Sequence, residues 1–236
     1  MKMIAIETTG SGSSVAAANA GEVAATLSLD ADLRTVQSLV PTIHKLLRDL
    51  GWRPAELRLV AVAAGPGSFT GLRIGVATAK TLAYATGAEC LAINTLETIA
   101  HRAASDPAWS GGARLHVAIE AYRQRVHAAT FRRHQGWPAW KSETEMLDHA
   151  TWLSRLAAGD IVSGTAVGKL GDQIPSNIAR TDPALWRPTA DEVARVAWRR
   201  YVAGERHDMW RLAPFYFGAS AAEEKWAERD SAAQTE

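Results

Sequence analysis

The chain has 236 residues, with 26 Lys and Arg against 25 Asp and Glu, for a net charge of +1. That balance excludes an overall electrostatic footprint for nucleic acid, and leaves only local patches to consider. The lone Cys90 excludes an internal disulfide and fits a reducing compartment. With no signal peptide and no apolar run of spanning length, the sequence reads as a soluble, cytoplasmic protein that does not enter a membrane. Of its nine Trp, eight lie beyond residue 100. Some of these are expected in the core and a few on a surface that meets a partner.

Lys2 to Thr8 reads as a buried strand ending on Glu7, Thr8 and Thr9. Gly10-Ser11-Gly12 turns it into Ser13 to Ala18, and Asn19-Ala20-Gly21 turns again into Glu22 to Leu29, giving a three-stranded meander. Glu7, Thr8, Thr9 and Ser11 have the chemistry to hold a metal-bound phosphate; equally, the hydroxyls can serve the turn's own backbone. Val36, Leu39, Val40, Ile43, Leu46, Leu47 and Leu50 then keep helical spacing. Thr35 or Asp32 is expected to cap this helix, Gly51 ends it, and Pro41 should kink or loosen it. His44 falls off the apolar stripe and is expected at the surface.

Leu57 to Ala64 is a Val-rich strand, broken sharply by Gly65-Pro66-Gly67. From Thr70 to Thr86 the period is helical, with Leu72, Val76, Ala79, Leu82 and Ala83 on one stripe. Ser68 is the expected N-cap and Gly87 the left-handed residue at the far end. Gly71, Gly75 and Ala79 leave one face almost without bulk, so another backbone or a partner helix can come close. A glycine-rich turn from strand to helix is also a common anion cradle. This one has neither the Lys-Ser/Thr of a Walker loop nor the spacing of a dinucleotide fingerprint.

Glu89 to Asn94 and Thr95 to Ala103 follow as strand and helix, and Ser105 to Ala113 as a connection. Strands are expected at Leu115–Ala121, Arg125–Arg133 and Lys141–Met146, the last after a turn at Gly136-Trp137-Pro138. A helix over Ala150–Ala158, a strand at Asp160–Ser163, a small-residue turn at 164–166 and a helix over Asp191–Ala203 complete the order. Both halves read as meander, helix, strand and helix, which suggests two α/β layers built by duplication. The expected division is 1–108, 109–218 and an exposed helical tail at 219–236. Two groups of arginines, Arg123, Arg125, Arg132 and Arg133 on a hairpin and Arg195, Arg199 and Arg200 on a helix, read as solvated faces.

Ile4-Ala5-Ile6-Glu7-Thr8-Thr9, the eleven residues from Gly65 to Gly75, Pro214-Phe215-Tyr216 and Lys225-Trp226 together resemble the bacterial TsaB (YeaZ) family. The resemblance is strong over residues 1–100 and thin between 120 and 210. It implies an ASKHA-type α/β fold (actin, sugar kinase and Hsp70 relatives) of two ribonuclease-H-like domains. It also implies a non-catalytic subunit that pairs with a TsaD-like catalytic subunit to attach threonylcarbamoyl to adenosine beside the anticodon of ANN-decoding tRNAs. A TsaE-like ATPase joins the complex, tRNA is met through the complex, and the chain alone forms a homodimer. ATP and a metal are then expected in the partner subunits, with no cofactor and no metal in this chain.

TsaD-like chains carry Val-Asn-His-x-x-x-His, two metal ligands one helical turn apart. Thr95 and Ile99 stand at those two positions here. The family's association surface is carried over to Val36, Leu39, Ile43, Phe69, Thr70, Arg73, Gly75 and Ala79. Arg73, a cation in a helix's first turn, is expected to be paired. Two departures from the family stand out. Glu7 replaces the usual Asp, and Glu120-Ala121-Tyr122 followed by Gln124-Arg125 replaces Asp-Ala-Arg followed by Gly-Glu. Two enzymatic readings compete: an ASKHA phosphotransferase or ATPase using Glu7, Thr8, Thr9 and the turns at 10–12 and 164–166, and a peptidase. The latter lacks a Ser-His-Asp order or zinc motif, and Cys90 lies in an apolar strand.

Overall fold

A computed structural model describes residues 1–110 and 112–218. β1 (Lys2–Glu7), β2 (Ser14–Asn19) and β3 (Glu22–Ser28) form the antiparallel meander, with Ile4 opposite Ala17. β4 (Leu57–Gly65) lies parallel to β1, and β5 (Glu89–Asn94) parallel to β4, so the sheet order is β3-β2-β1-β4-β5.

The second sheet repeats this plan. β6 (Leu115–Ala121) is central, and β7 (Arg125–His134) pairs antiparallel with it. β8 (Trp137–Trp140) and β9 (Glu145–Asp148) both pair with β7, while β10 (Ile161–Ser163) and β11 (Ala179–Arg180) extend the parallel side. In each sheet the first strand has an antiparallel neighbour on one side, which pairs antiparallel in turn with the next strand, and a parallel neighbour on the other, which pairs parallel with the next. This duplicated order is that of two ribonuclease-H-like units in an ASKHA-type α/β fold.

Strand alternation decides which helix covers which face. Ile4 and Ile6 of β1 face α1 (Thr35–Asp49) and α2 (Phe69–Thr86), packing with Leu39, Leu46, Val76 and Ala79. Met3 and Ala5 point the other way, onto Val193, Ala194 and Ala197 of α6 (Ala190–Val202). α3 (Thr95–Ala103) instead brings Leu96, Ile99 and Ala100 to Trp109, Val117 and Phe131 of the second sheet. The division at 108/109 therefore separates the sheets but not their helices: α3 and α6 are exchanged. The two helices are tied by Arg200 to Glu97 and by Glu192 to His101, with Arg195 of α6 also on Glu192. Trp137 lies against both His101 and Arg199, at 4.6 and 4.1 Å.

Several local expectations change. α1 is capped at Arg34, whose N–H donates to Gln37 Oε1 at 3.2 Å, and the helix runs on through Pro41. Asp32 is held instead in a turn, its N–H on Asp30. Of the expected strand at 141–146 only Glu145 and Met146 lie in a strand, β9, while β8 comes earlier; between the two, Ser142 Oγ accepts the Thr130 N–H at 3.0 Å and takes a ladder position. The hairpin turn is Gln135-Gly136, both with positive φ, so Trp137 and Pro138 belong to the edge strand. α4 is shorter than expected, His149–Ser154, capped by Asp148. α5 (Thr165–Lys169) and β11 were not foreseen at all. Trp109 and Trp152 are core residues while Trp210 is 70% exposed. The expected tail helix and Lys225-Trp226 lie outside the described residues. Among the described residues no helix is long and apolar enough to cross a membrane.

Candidate functional site

β4 ends at Gly65, and α2 starts four residues later with Ser68 as its cap, its hydroxyl accepting from the Gly71 N–H at 3.3 Å. Gly87 closes the helix in the left-handed conformation, φ 70°. The bulk-free side of this segment is pressed onto the end of β1. A Cβ on Gly71 would lie 1.9 Å from Thr8 O, one on Gly75 2.3 Å from Thr8 Oγ1, and one on Gly67 2.5 Å from Thr9 O. Thr8 Oγ1 donates to Gly71 O at 2.8 Å, and the Ser68 N–H donates to Thr9 O at 2.7 Å. The close backbone approach permitted by these glycines is therefore made by the chain itself.

The residues named for a phosphate lie in the same knot. Glu7, Thr8 and Thr9 are all buried. Glu7 Oε1 accepts from the Thr9 N–H at 2.6 Å and from Thr9 Oγ1 at 2.5 Å. Burial raises the Glu7 pKa to about 7, against the lowering effect of the two Thr9 bonds. Thr8 and Thr9 spend their hydroxyls on neighbouring backbone and on Glu7, and two of the loop N–H groups, Ser68 and Gly71, are already donated to Thr9 O and Ser68 Oγ.

The association residues divide in two. Leu39, Ile43, Gly75 and Ala79 are buried in their own domain's core and offer no side-chain surface. Val36 and Phe69 are 62% and 46% exposed, Thr70 and Arg73 are exposed, and Val40, one turn beyond Val36, is 58% exposed. Leu33 extends the α1 ridge; helical spacing foretold the ridge's inner side but not how much apolar surface remains outside. Arg73 has no carboxylate partner among the described residues, and its guanidinium lies over the Phe69 ring at 5.3 Å. Phe69 in turn meets Tyr216, ring centroids 5.6 Å apart.

Between the two sheets opens a cavity of about 870 Å³, walled by Phe69 and Arg73 on α2, Glu120 and His127 on the β6–β7 hairpin, and Phe215 to Gly218. Glu120 is held by Lys169 Nζ at 2.7 Å, with His149 Nε2 at 3.6 Å. Burial, helped by nearby Arg125, lowers the His127 pKa, so its imidazole is neutral at physiological pH. The turn before Arg125 carries Arg123 and Gln124 with positive φ, a conformation usually left to glycine.

Other candidate groups are occupied within the fold. Thr95 and Ile99, at the positions of the metal histidines in TsaD-like chains, are buried on α3. Among the described residues no group of three His, Cys, Asp or Glu is placed to hold a metal ion. Cys90 is buried and its thiol is pushed up to about 11, a poor nucleophile. His44 is exposed. Arg195 and Arg200 form ion pairs, Arg199 stacks on Trp137, and Arg133 bonds Ala104 O, so these arginines brace the fold.

The family model for TsaD, tRNA N6-adenosine threonylcarbamoyltransferase, matches residues 30–143. The tRNA threonylcarbamoyladenosine biosynthesis protein TsaB of Bacillus subtilis (strain 168) is 29% identical over 196 residues, 80% of this chain and 82% of that protein. TsaB of Escherichia coli (strain K12) is 27% identical over 234 residues, covering 95% and 98%. The structure of YeaZ from Pseudomonas aeruginosa superposes with a TM-score of 0.77 at 24% identity, over 91% of this chain and 99% of that one, which speaks for a common fold. With the Gly65–Gly75 motif and the duplicated sheet order, the chain is similar to proteins named TsaB and YeaZ over most of its length.

Proposed function

We propose that this chain acts in tRNA threonylcarbamoyladenosine biosynthesis as a non-catalytic partner of a TsaD-type transferase. The observation that carries this reading is the apolar ridge left outside the core: Leu33 just before α1, Val36 and Val40 on it, and Phe69 on neighbouring α2. Each helix has already satisfied its own sheet with Leu39, Ile43, Val76 and Ala79, so Leu33, Val36 and Val40 are left outside the core with their apolar surface exposed. The same ridge supports self-association when the partner is missing. In this reading ATP and metal belong to the partner subunits, a TsaE-type ATPase joins the assembly, tRNA is reached through it, and the complex works in the cytoplasm. A self-contained ATPase is disfavoured because Glu7, Thr8 and Thr9 bond one another and the Gly65–Gly71 loop.

Light scattering after size exclusion tests this with the chain alone and mixed with the TsaD-type subunit of the same organism. A heterodimer should replace a homodimer, and Val36→Asp with Val40→Asp should abolish it while leaving the unfolding midpoint within about 0.5 kcal/mol of wild type. A TsaD-type subunit fully active without this chain would overturn the proposal.

A further inference from the structure

We propose that a small cavity beside Trp152, among β6, β7 and α4, is the site of one buried water that joins the indole N–H to the polar groups around it. Trp152 is 1% exposed, yet its Nε1 has no hydrogen-bond partner among the described residues. An indole N–H only donates, and a buried donor without an acceptor carries its full desolvation cost. The cavity that Trp152 lines measures about 10 Å³, the room of a single water. The other large buried indole, Trp109, needs no such help, because its Nε1 donates to Ala113 O at 3.1 Å.

Polar walls supply the remaining partners: His116, Thr130, Ser142 and Glu145 all line the cavity. The direction of each bond follows from Asp160. Its carboxylate takes Arg114 Nε and Nη2 at 2.9 and 2.8 Å, and an ionised carboxylate only accepts, so His116 Nε2, at 3.0 Å, donates to it. Burial lowers the His116 pKa against the raising effect of Asp160, so the ring is neutral and its Nδ1 accepts. The Thr130 hydroxyl, 3.2 Å from Nδ1, then donates there and keeps its lone pairs free. Ser142 Oγ accepts the Thr130 N–H and keeps its own proton to give. Trp152 and Ser142 thus offer protons, while Thr130 Oγ1 and the Glu145 carboxylate accept them. One water meets both needs at once.

The water completes a run of hydrogen bonds from Arg114 through Asp160, His116 and Thr130 to Trp152, tying β6 and β7 to α4. It also steadies the connection between β8 and β9. Two residues beyond Ser142, Thr144 Oγ1 accepts from Asn94 Nδ2 at 3.0 Å, a bond between the second sheet's edge and the end of β5.

Proton NMR of the full-length, nitrogen-15-labelled chain tests this. The Trp152 indole N–H should show a cross-peak at the water frequency, with the sign of a water held longer than the chain takes to tumble. The equally buried Trp109 indole should show none. Thr130→Val keeps the shape of the side chain and removes the acceptor, so oxygen-17 relaxation dispersion should count about one long-lived water fewer per chain. Ala128→Val, which grows a side chain from the cavity wall, is a second route to the same loss. The remaining indole peaks report that each variant is folded. No water cross-peak on Trp152, or an equal one on Trp109, would overturn the inference. An unchanged count in either folded variant would overturn it too, because the cross-peak would then be relayed by a hydroxyl proton.

Discussion

The ends of β1 and β6 hold equivalent places in two sheets of the same strand order, yet one is sealed and the other faces a cavity. Glu7, near the end of β1, is covered by the start of an 18-residue helix and satisfied by Thr9. Glu120, near the end of β6, lies beside the five-residue α5; its Oε2 takes the ammonium of Lys169, while its Oε1 is buried without a hydrogen bond. Both halves bring a helix start against the first strand through a glycine: Gly71 against Thr8 O and Gly164 against Ala118 O. The length of the helix that follows, and the small residues along it, then decide whether the strand end is closed. A duplicated scaffold can thus lose a cleft in one half while keeping the other open to the interdomain space.

The sharpest way to break this comparison is to add one methyl group. In Gly71→Ala the new Cβ would sit 1.9 Å from a backbone oxygen that has no rotamer to escape into. The expected loss is about 3 kcal/mol or more, read from urea midpoints. Gly164→Ala, with 2.1 Å to Ala118 O and φ +101°, is expected to cost less, because short α5 can shift where α2 cannot. Gly10, with open space around it and no positive φ, is the control; its Ala variant should stay within about 0.5 kcal/mol. A Gly71 variant that behaves like the Gly10 variant would mean that α2 does not press on β1.

A somewhat smaller effect tests the sealing through pH. The Glu7 carboxyl titrates near 7 in the folded chain and near its ordinary 4.5 when unfolded. Between those values the unfolded state binds fewer protons, so stability falls as pH rises from about 4.5 to about 7 and is level above. The full cost is about 3 kcal/mol at most, from 1.36 kcal/mol per unit. Glu7→Gln, which keeps an acceptor for Thr9, should remove that slope and be the more stable chain at pH 8. A stability difference between the two that stays flat from pH 4.5 to 7 would show that the sealed end is solvated.

Much of the first half was legible because period and punctuation agree there. The meander, β4, Ser68, α2, Gly87, β5 and α3 all follow from runs ended by glycine or by a capping side chain. The Gly71–Gly75 face was legible as a close approach, but glycine spacing does not say which backbone approaches, and here it is Thr8. The exchange of α3 and α6 was hidden for a related reason: an amphipathic stripe shows that one face is buried, not against which sheet. Ser142 taking a ladder position between β8 and β9 leaves no mark on hydrophobic alternation. Nor do Phe215 to Gly218, which wall the cavity with no periodicity at all.

The smallest expected effect lies at the open end. Lys169→Met removes the ammonium from Glu120 while keeping most of the side chain's length, and Lys169 is largely exposed. A pair so solvated is worth about 0.5 kcal/mol, and the loss should shrink further in high salt. Urea unfolding of both chains at low and high ionic strength measures it. A loss above about 2 kcal/mol that salt does not reduce would be the behaviour of a desolvated pair. Glu120 would then be as cut off from water as Glu7, and the two strand ends would differ only in what each carboxylate bonds, a hydroxyl in one and an ammonium in the other.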